Sequence, residues 1–309
     1  MKLRIKRIRF KTEIKRRLIQ ILAALGFNFD FPSLFQGQVS QWKSKGVCVP
    51  ALNCYSCPAA VGACPIGSLQ NAFNTLRHNL GAGQKKLGFY VVGSLGLIGS
   101  LGGRLPCGWL CPFGFFQELV YKLPTPKFQI PKFLTYFRYL VLLILVILLP
   151  ILVIDSLGFG EPWFCKWLCP AGTLEAGVLL SLLNRGIRSQ LGFLFAWKTG
   201  LLILFLLWMV FSERPFCRTT CPLGTILGFF NRVSAFKMRV DHKACLLCDA
   251  CQRVCPVNIK IYENPDSSQC LRCLKCEAAC PVSCISHSFK LSEENNRQPQ
   301  AEVKADRIA

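Results

Sequence analysis

Two copies of one cysteine motif restrict this chain more than any other feature. The first reads Cys245-Leu-Leu-Cys248-Asp-Ala-Cys251-Gln-Arg-Val-Cys255-Pro256, the second Cys270-Leu-Arg-Cys273-Leu-Lys-Cys276-Glu-Ala-Ala-Cys280-Pro281. Both are C-x2-C-x2-C-x3-C-P. That spacing wraps three thiolates around three corners of one [4Fe–4S] cubane and sends the fourth to a neighbouring cubane. The expected sets are Cys245, Cys248, Cys251 and Cys280 for one cluster, and Cys270, Cys273, Cys276 and Cys255 for the other. The fourth cysteine of each motif is expected to leave on a helix opened by Pro256 or Pro281. Zinc also accepts four thiolates, but two complete copies, each closed by Cys-Pro, point to paired cubanes.

Such a pair defines a small α+β domain of the bacterial-type ferredoxin kind, placed at 238–290. The rest of the chain is too apolar for an ordinary soluble protein: of 309 residues, 52% are hydrophobic and 17% charged. Leu134–Ile154 and Leu191–Phe211 are each long enough to span a hydrocarbon layer of about 30 Å as helices. Leu87–Leu105, rich in glycine, and Leu18–Phe35, interrupted by Asn28, Asp30 and Pro32, are weaker spans. The fold expected is a mainly α integral membrane protein with about four transmembrane helices in two hairpins, plus the ferredoxin domain. Residues 1–17 form a basic cytoplasmic arm, 18–237 the transmembrane part and 291–309 a disordered tail.

A net charge of +21 raises the question of nucleic acid. Its distribution argues against that, because nine Lys or Arg fall in the first seventeen residues, directly before an apolar run. Positive charge so placed fixes membrane orientation, and puts the N-terminus and the ferredoxin domain on the cytoplasmic side. A signal peptide has a similar start, but no small-residue cleavage site follows, so the first helix reads as uncleaved. The nineteen cysteines are spaced as metal ligands and imply reducing surroundings; Cys284 is the expected spare thiol.

A second repeat lies in the apolar part. Cys64-Pro-Ile-Gly67, Cys111-Pro-Phe-Gly114, Cys169-Pro-Ala-Gly172 and Cys221-Pro-Leu-Gly224 all read C-P-x-G, and three of the four have another cysteine at i−4. Proline suits the first helical position, and a helix N-terminus offers donors to thiolates and anionic clusters. One C-x3-C-P pair supplies half a cubane's ligands, so two pairs brought together supply a full set. With alternating helices, Cys107, Cys111, Cys217 and Cys221 meet at the inner face. Cys165 and Cys169 meet Cys64 and either Cys57 or Cys54 at the outer face, Cys57 being the choice made here; a disulfide among these outer thiols is the competing reading. Sites on opposite faces of a layer about 30 Å thick would be too far apart for a single electron hop.

These motifs resemble the membrane polyferredoxin group that includes NapH-type, NosR-type and CcoG-type proteins. The C-x3-C-P pairs beside membrane helices and the C-terminal two-cluster ferredoxin carry the resemblance, over roughly Leu87–Ile285. It implies four membrane helices, cytoplasmic pairs at Cys107/Cys111 and Cys217/Cys221, and electron transfer between membrane and redox partner. The pair Cys165/Cys169 and the stretch Cys48–Cys64 are additional to the group's pattern, and the flavin-binding extension of the NosR type is not seen in these residues.

The remaining polar residues carry less. His78, His242 and His287 read as solvated or interfacial. No G-x-G-x-x-G follows a strand, so no nicotinamide or flavin domain is visible. Asp155, Glu161 and Glu175 are candidates for a proton path or quinone site but read as interface polar residues. Trp109, Trp163 and Trp167 read as interface anchors or as shields for a cluster. The function expected is one-electron relay through [4Fe–4S] clusters between a cytoplasmic redox protein or oxidoreductase subunit and the membrane, with lipid and the quinone pool as partners and no nucleic acid. The competing functions are a metal-ion or quinone reductase, and a redox sensor or assembly factor.

Overall fold

The computed structural model describes residues 2–81, 88–156 and 158–289. The expected tail (291–309) lies outside the described residues, as does Leu87 at the head of the second apolar run. The described chain is mostly helical with one two-stranded sheet.

The basic arm and the first apolar run form one helix, α1 (Lys2–Phe27). The arm is not solvated to its end, since Arg16 and Gln20 are fully buried against the next layer. The interruption noted in the sequence starts a new short helix, Phe31–Phe35: the Asp30 side chain accepts the Ser33 N–H at 3.3 Å and Pro32 sits in the first turn.

Then come α2 (Pro65–Asn74), α3 (Phe89–Gly102), α4 (Pro112–Val120), α5 (Lys132–Leu152), α6 (Pro170–Leu183), α7 (Phe193–Phe211) and α8 (Pro222–Phe229). Helices α2, α4, α6 and α8 each begin at one of the C-P-x-G motifs, with cysteine as N-cap and proline in the first turn. In three of them the thiol accepts the glycine N–H: Gly114 to Cys111 at 3.4 Å, Gly172 to Cys169 at 3.4 Å, Gly224 to Cys221 at 3.3 Å. The motif is therefore a thiol-capped helix start.

Among the described residues, α5 and α7 are long and apolar enough to cross a membrane, with mean hydropathies of 2.3 and 2.0. Only 28% and 17% of their apolar windows are buried, whereas the core helix of a soluble protein hides such surface. Leu140, Leu143 and Leu148 on α5, and Ile203, Leu204 and Leu207 on α7, stand exposed. Helix α3 has 14 residues and covers about 21 Å, short of a hydrocarbon layer of about 30 Å. In α5 the hydrogen bonding widens to i→i+5 over Leu142–Leu148 ahead of Pro150. Gln70 Nε2 of α2 donates to the Leu145 carbonyl at 3.0 Å, satisfying a backbone acceptor in that loosened turn.

Strands β1 (Phe236–Val240) and β2 (Ile285–Phe289) pair antiparallel, Phe236 opposite Phe289 and Val240 opposite Ile285, so the ends of the ferredoxin-like domain meet. Between them lie α9 (Ala250–Arg253) and α10 (Lys275–Ala279). The sequence suggested helices after Cys-Pro; they stand before it, and Pro256 and Pro281 begin turns instead. The reason is backbone conformation. Leu247, Asp249 and Asn258, and at matching positions of the second motif Arg272, Leu274 and Ser283, have positive φ. These left-handed residues curl each cysteine loop tightly, and the helical turn runs from the residue before the third cysteine toward the fourth. Helix α1 packs on α4, on Leu105–Trp109 and on α10, tying the ferredoxin-like domain to the apolar part.

Candidate iron–sulfur sites

The two ferredoxin sets each surround a pocket. One is lined by Cys255, Cys270, Cys273 and Cys276, among others, and these thiols are electrostatic neighbours. The other is lined by Cys245, Cys248, Cys251 and Cys280. Cys284 also lines it, with its Sγ 3.3 Å from Cys280 Sγ, so the expected spare thiol lies against this set.

In the apolar part, the short helices Leu105–Trp109 and Pro215–Thr219 carry Cys107 and Cys217. Cys111 lies within electrostatic reach of Cys217 and Cys107, and Cys221 of Cys217, Cys107 and Cys111. The four thiols of the inner quartet are all buried. Burial first, then the neighbouring thiols, push Cys111 and Cys221 far above the ordinary thiol range. Four thiolates in that space need a compensating cation, and donors are already aimed at them: besides the two glycine N–H groups, Gln117 Nε2 reaches Cys217 Sγ at 3.0 Å.

A buried ion network holds this quartet. Glu118 accepts from Arg16 at 2.7 and 2.9 Å, from Arg17 at 2.7 Å and from Arg214 at 2.8 Å. Burial alone would raise the Glu118 carboxyl, but Arg214 and Arg16 outweigh it and hold it well below the usual carboxylate range. Arg16 and Gln20 also donate to the Gly108 carbonyl, at 3.3 and 3.1 Å.

A second quartet forms, with one member changed. Cys165 lies beside Cys169, Cys64 and Cys54, and Cys54 beside Cys169 and Cys64. A Cβ on Gly172 would stand 3.4 Å from Cys54 Sγ and 3.8 Å from Cys169 Sγ, which fixes Cys54 at this helix start. The sequence reading chose Cys57. Its thiol instead points to Asn28 Oδ1 at 3.7 Å, and its charged neighbours are Glu175 and Lys45. The turn Cys54–Cys57, closed by a 3.0 Å hydrogen bond from Cys57 N to Cys54 O, turns one thiol toward the quartet and the other away. Glu175, read earlier as an interface residue, accepts the Cys54 N–H at 2.6 Å, and burial pushes its carboxyl up to about 7.

The two quartets are close together, against the expectation of opposite faces. The consecutive residues Leu52 and Asn53 turn their N–H groups to Cys111 and Cys64 respectively. Along α1, Gln20 bonds Gly108 and Asn28, just past the helix end, bonds Asn53 at 2.9 Å. Eight residues of helix give an axial offset on the order of 12 Å, well under a bilayer's width. The Cys48–Cys64 loop therefore folds down onto the inner quartet.

The ferredoxin-like domain adjoins the other side of that quartet. A Cβ on Gly108 would lie 2.5 Å from the Leu271 carbonyl and 3.4 Å from Cys273 Cα. Trp109 Nε1 donates to the Arg272 carbonyl at 3.0 Å, so this tryptophan docks the domain instead of anchoring an interface. One contiguous apolar core includes Cys273, Cys107, Cys111, Cys221, Cys64 and Cys169.

Among the described residues, no three His, Cys, Asp or Glu converge tightly enough to hold a single metal ion. A [4Fe–4S] cubane binds each of its four thiolates at a separate iron corner, so its ligands stand farther apart than those of one ion. Sequence reasoning named Cys54 only as the alternative to Cys57, and missed Glu118, Gln117, Arg104 and Arg214. The arginines did leave a signal, since each stands three residues before the first cysteine of its pair, in Arg104-Leu-Pro-Cys107 and Arg214-Pro-Phe-Cys217.

The fold and its thiol groups define a helical protein built to hold iron–sulfur clusters beside a ferredoxin-like domain. Three segments, 85–131, 140–188 and 193–241, match a 4Fe-4S binding domain, and each contains one C-x3-C-P pair. Two uncharacterized proteins of Methanocaldococcus jannaschii are similar. MJ0749 is 33% identical over 183 residues (56% of this chain, 59% of that protein), and MJ0750 is 32% identical over 205 residues (62% and 75%). The regulatory protein NosR of Pseudomonas aeruginosa is 30% identical over 160 residues, 49% of this chain but only 20% of NosR. The chain belongs with MJ0750 to a family of 4Fe–4S binding proteins, its further relatives include NosR and proteins named NapH, MauN and YccM, and its cofactors are [4Fe–4S] clusters. No solved structure matches the chain.

Proposed function

We propose that this chain is a membrane-embedded relay with four cluster sites, passing single electrons between a cytoplasmic redox partner and the membrane, where the quinone pool or a partner subunit takes or gives them. [4Fe–4S] clusters supply one-electron chemistry there, at potentials set by charge, hydrogen bonds to sulfur and solvent exposure. Cys245, Cys248, Cys251 and Cys280 hold the site nearest solvent; Cys248 is exposed, and Leu246 and Leu247 offer an apolar edge to a soluble partner. Cys255, Cys270, Cys273 and Cys276 hold the next, the inner quartet the third, and Cys54, Cys64, Cys165 and Cys169 the fourth.

The observation that carries this reading is the continuous core in which thiols of three of the four sets are neighbours. The exposed apolar faces of α5 and α7 support lipid around the middle of the molecule. We place the N-terminus and the ferredoxin-like domain in the cytoplasm and count four spans, α5 and α7 crossing the full layer and the apolar parts of α1 and α3, each shorter than that layer, crossing where it is locally thinned. The protein binds, insulates and spaces the carriers; no residue is assigned substrate chemistry. Iron and acid-labile sulfide counted on anaerobically purified protein test the reading. About sixteen irons are expected, and Cys217→Ser with Cys221→Ser should remove about four of them. An iron content of about eight would leave only the ferredoxin-like domain loaded and refute it.

A further inference from the structure

The inner quartet differs from the second in the charges built around it, and the difference follows a pattern. Arg104, from the segment of Cys107 and Cys111, donates through Nη2 to the carbonyl of Cys217 at 3.1 Å. Arg214, from the segment of Cys217 and Cys221, donates through Nη1 to the carbonyl of Cys107 at 2.6 Å. The two arms exchange: each arginine crosses to the other half of the site. The glycines of the C-P-x-G motifs leave room for them, since a Cβ on Gly224 would lie 2.7 Å from Arg104 Nη2 and one on Gly114 3.1 Å from Arg214 Nη1. Arg104, Arg138 and Arg214 are at most 1% exposed, and Arg138 acts electrostatically with Cys221. The buried carboxylate facing this group is Glu118, bound to Arg214, Arg16 and Arg17. The second quartet has around it, among the described charges, one carboxyl, Glu175, on the Cys54 N–H, and two ammoniums: Lys198 on the Cys165 carbonyl at 3.2 Å, and Lys45, which acts electrostatically with Cys54 and donates to the Tyr55 carbonyl at 2.8 Å. Its first pair has Pro162 where the inner pairs have arginine.

We propose that the exchanged arginines Arg104 and Arg214 hold the inner quartet at a higher potential than the second quartet, so that an electron passing between the two rests at the inner site. The proposal depends on the reading that the quartets hold clusters. Reduction adds one electron, and so one negative charge, to what the thiolates hold. Buried guanidiniums at fixed distance stabilise that charge in a medium where water screens little.

The test is a potentiometric titration followed by electron paramagnetic resonance, taking as the inner site's signal the one lost in Cys217→Ser with Cys221→Ser. Arg104→Gln and Arg214→Gln should each move that signal's midpoint to lower potential, while Arg104→Lys, which keeps the charge, should stay near the parent. Glu118→Gln breaks the same ion pair as Arg214→Gln but removes a negative charge, so its midpoint should rise. A purely structural role would move both the same way or neither. Either of those results, at full iron content, overturns the proposal, as does an inner-site midpoint below that of the second quartet. Missing iron in the parent protein would instead overturn the reading beneath it, and the two failures are told apart by the iron count.

Discussion

Removing the carboxylate of Glu118 tests how the apolar half of the molecule is held. Its side chain is 1% exposed and pairs with Arg16 and Arg214, both 0% exposed, and with Arg17 at 18%. In Glu118→Leu, Arg16 keeps Glu13 at 2.9 Å and Arg17 can reach the same carboxylate at 3.2 Å. Arg214 keeps no carboxylate. The loss is therefore close to that of one broken buried pair, about 3–5 kcal/mol. In a protein of this size that lowers the unfolding midpoint by about 5–8 °C. The assay is thermal unfolding in detergent at matched scan rates, followed by loss of cluster absorbance. The double variant Glu118→Leu with Arg214→Met should recover much of the loss, because an apolar pair of similar volume is often neutral or better than a buried ion pair. The pH dependence has a definite sign. The folded carboxyl lies below its ordinary value of 4.5, so its contribution is complete above that pH and fades as the pH falls through the lower folded value. The gap between parent and Glu118→Leu should shrink on acidification below about 4.5. A midpoint within about 2 °C of the parent at neutral pH would refute the argument that this network carries stability.

Two further perturbations separate geometry from sequence. Cys54→Ser should cost about four irons and Cys57→Ser none, because only the first thiol faces Cys64, Cys165 and Cys169; equal losses would return Cys57 to the site. Gly108→Ala puts a Cβ 2.5 Å from the Leu271 carbonyl, and backbone yields less than a side chain. The ferredoxin-like domain should lose about 1–3 kcal/mol of docking with all its iron retained. The membrane clusters should then be reduced more slowly in rapid mixing, and an unchanged rate would show that this contact does not set the electron path.

Much of the site was legible in one dimension because cluster ligation by short loops is a local matter. The spacing C-x2-C-x2-C-x3-C-P determines which thiols can share a cubane, and Cys-Pro determines a helix start. The grouping of the ferredoxin thiols and of Cys107, Cys111, Cys217 and Cys221 was legible from residue numbers, as were the apolar runs at 134–154 and 191–211, which the structure bounds at 132–152 and 193–211. The sequence also held the arginines three residues before Cys107 and Cys217, but nothing local says that each reaches across to the opposite pair.

What required tertiary structure was everything decided by non-local packing. Cys54 and Cys57 belong to one turn and have equal claims by spacing; the approach of α6, with Gly172 against Cys54, chooses between them. Hydropathy placed the Cys48–Cys64 loop across the membrane from the inner quartet, because alternation of spans was the only rule available. The folded chain brings Leu52 and Asn53 between the two sets of thiols, since buried N–H groups need acceptors and the thiols supply them. Composition and spacing dictate which sulfur atoms can bind iron; the packing of α1, α4 and α6 decides which sites stand near enough to exchange an electron.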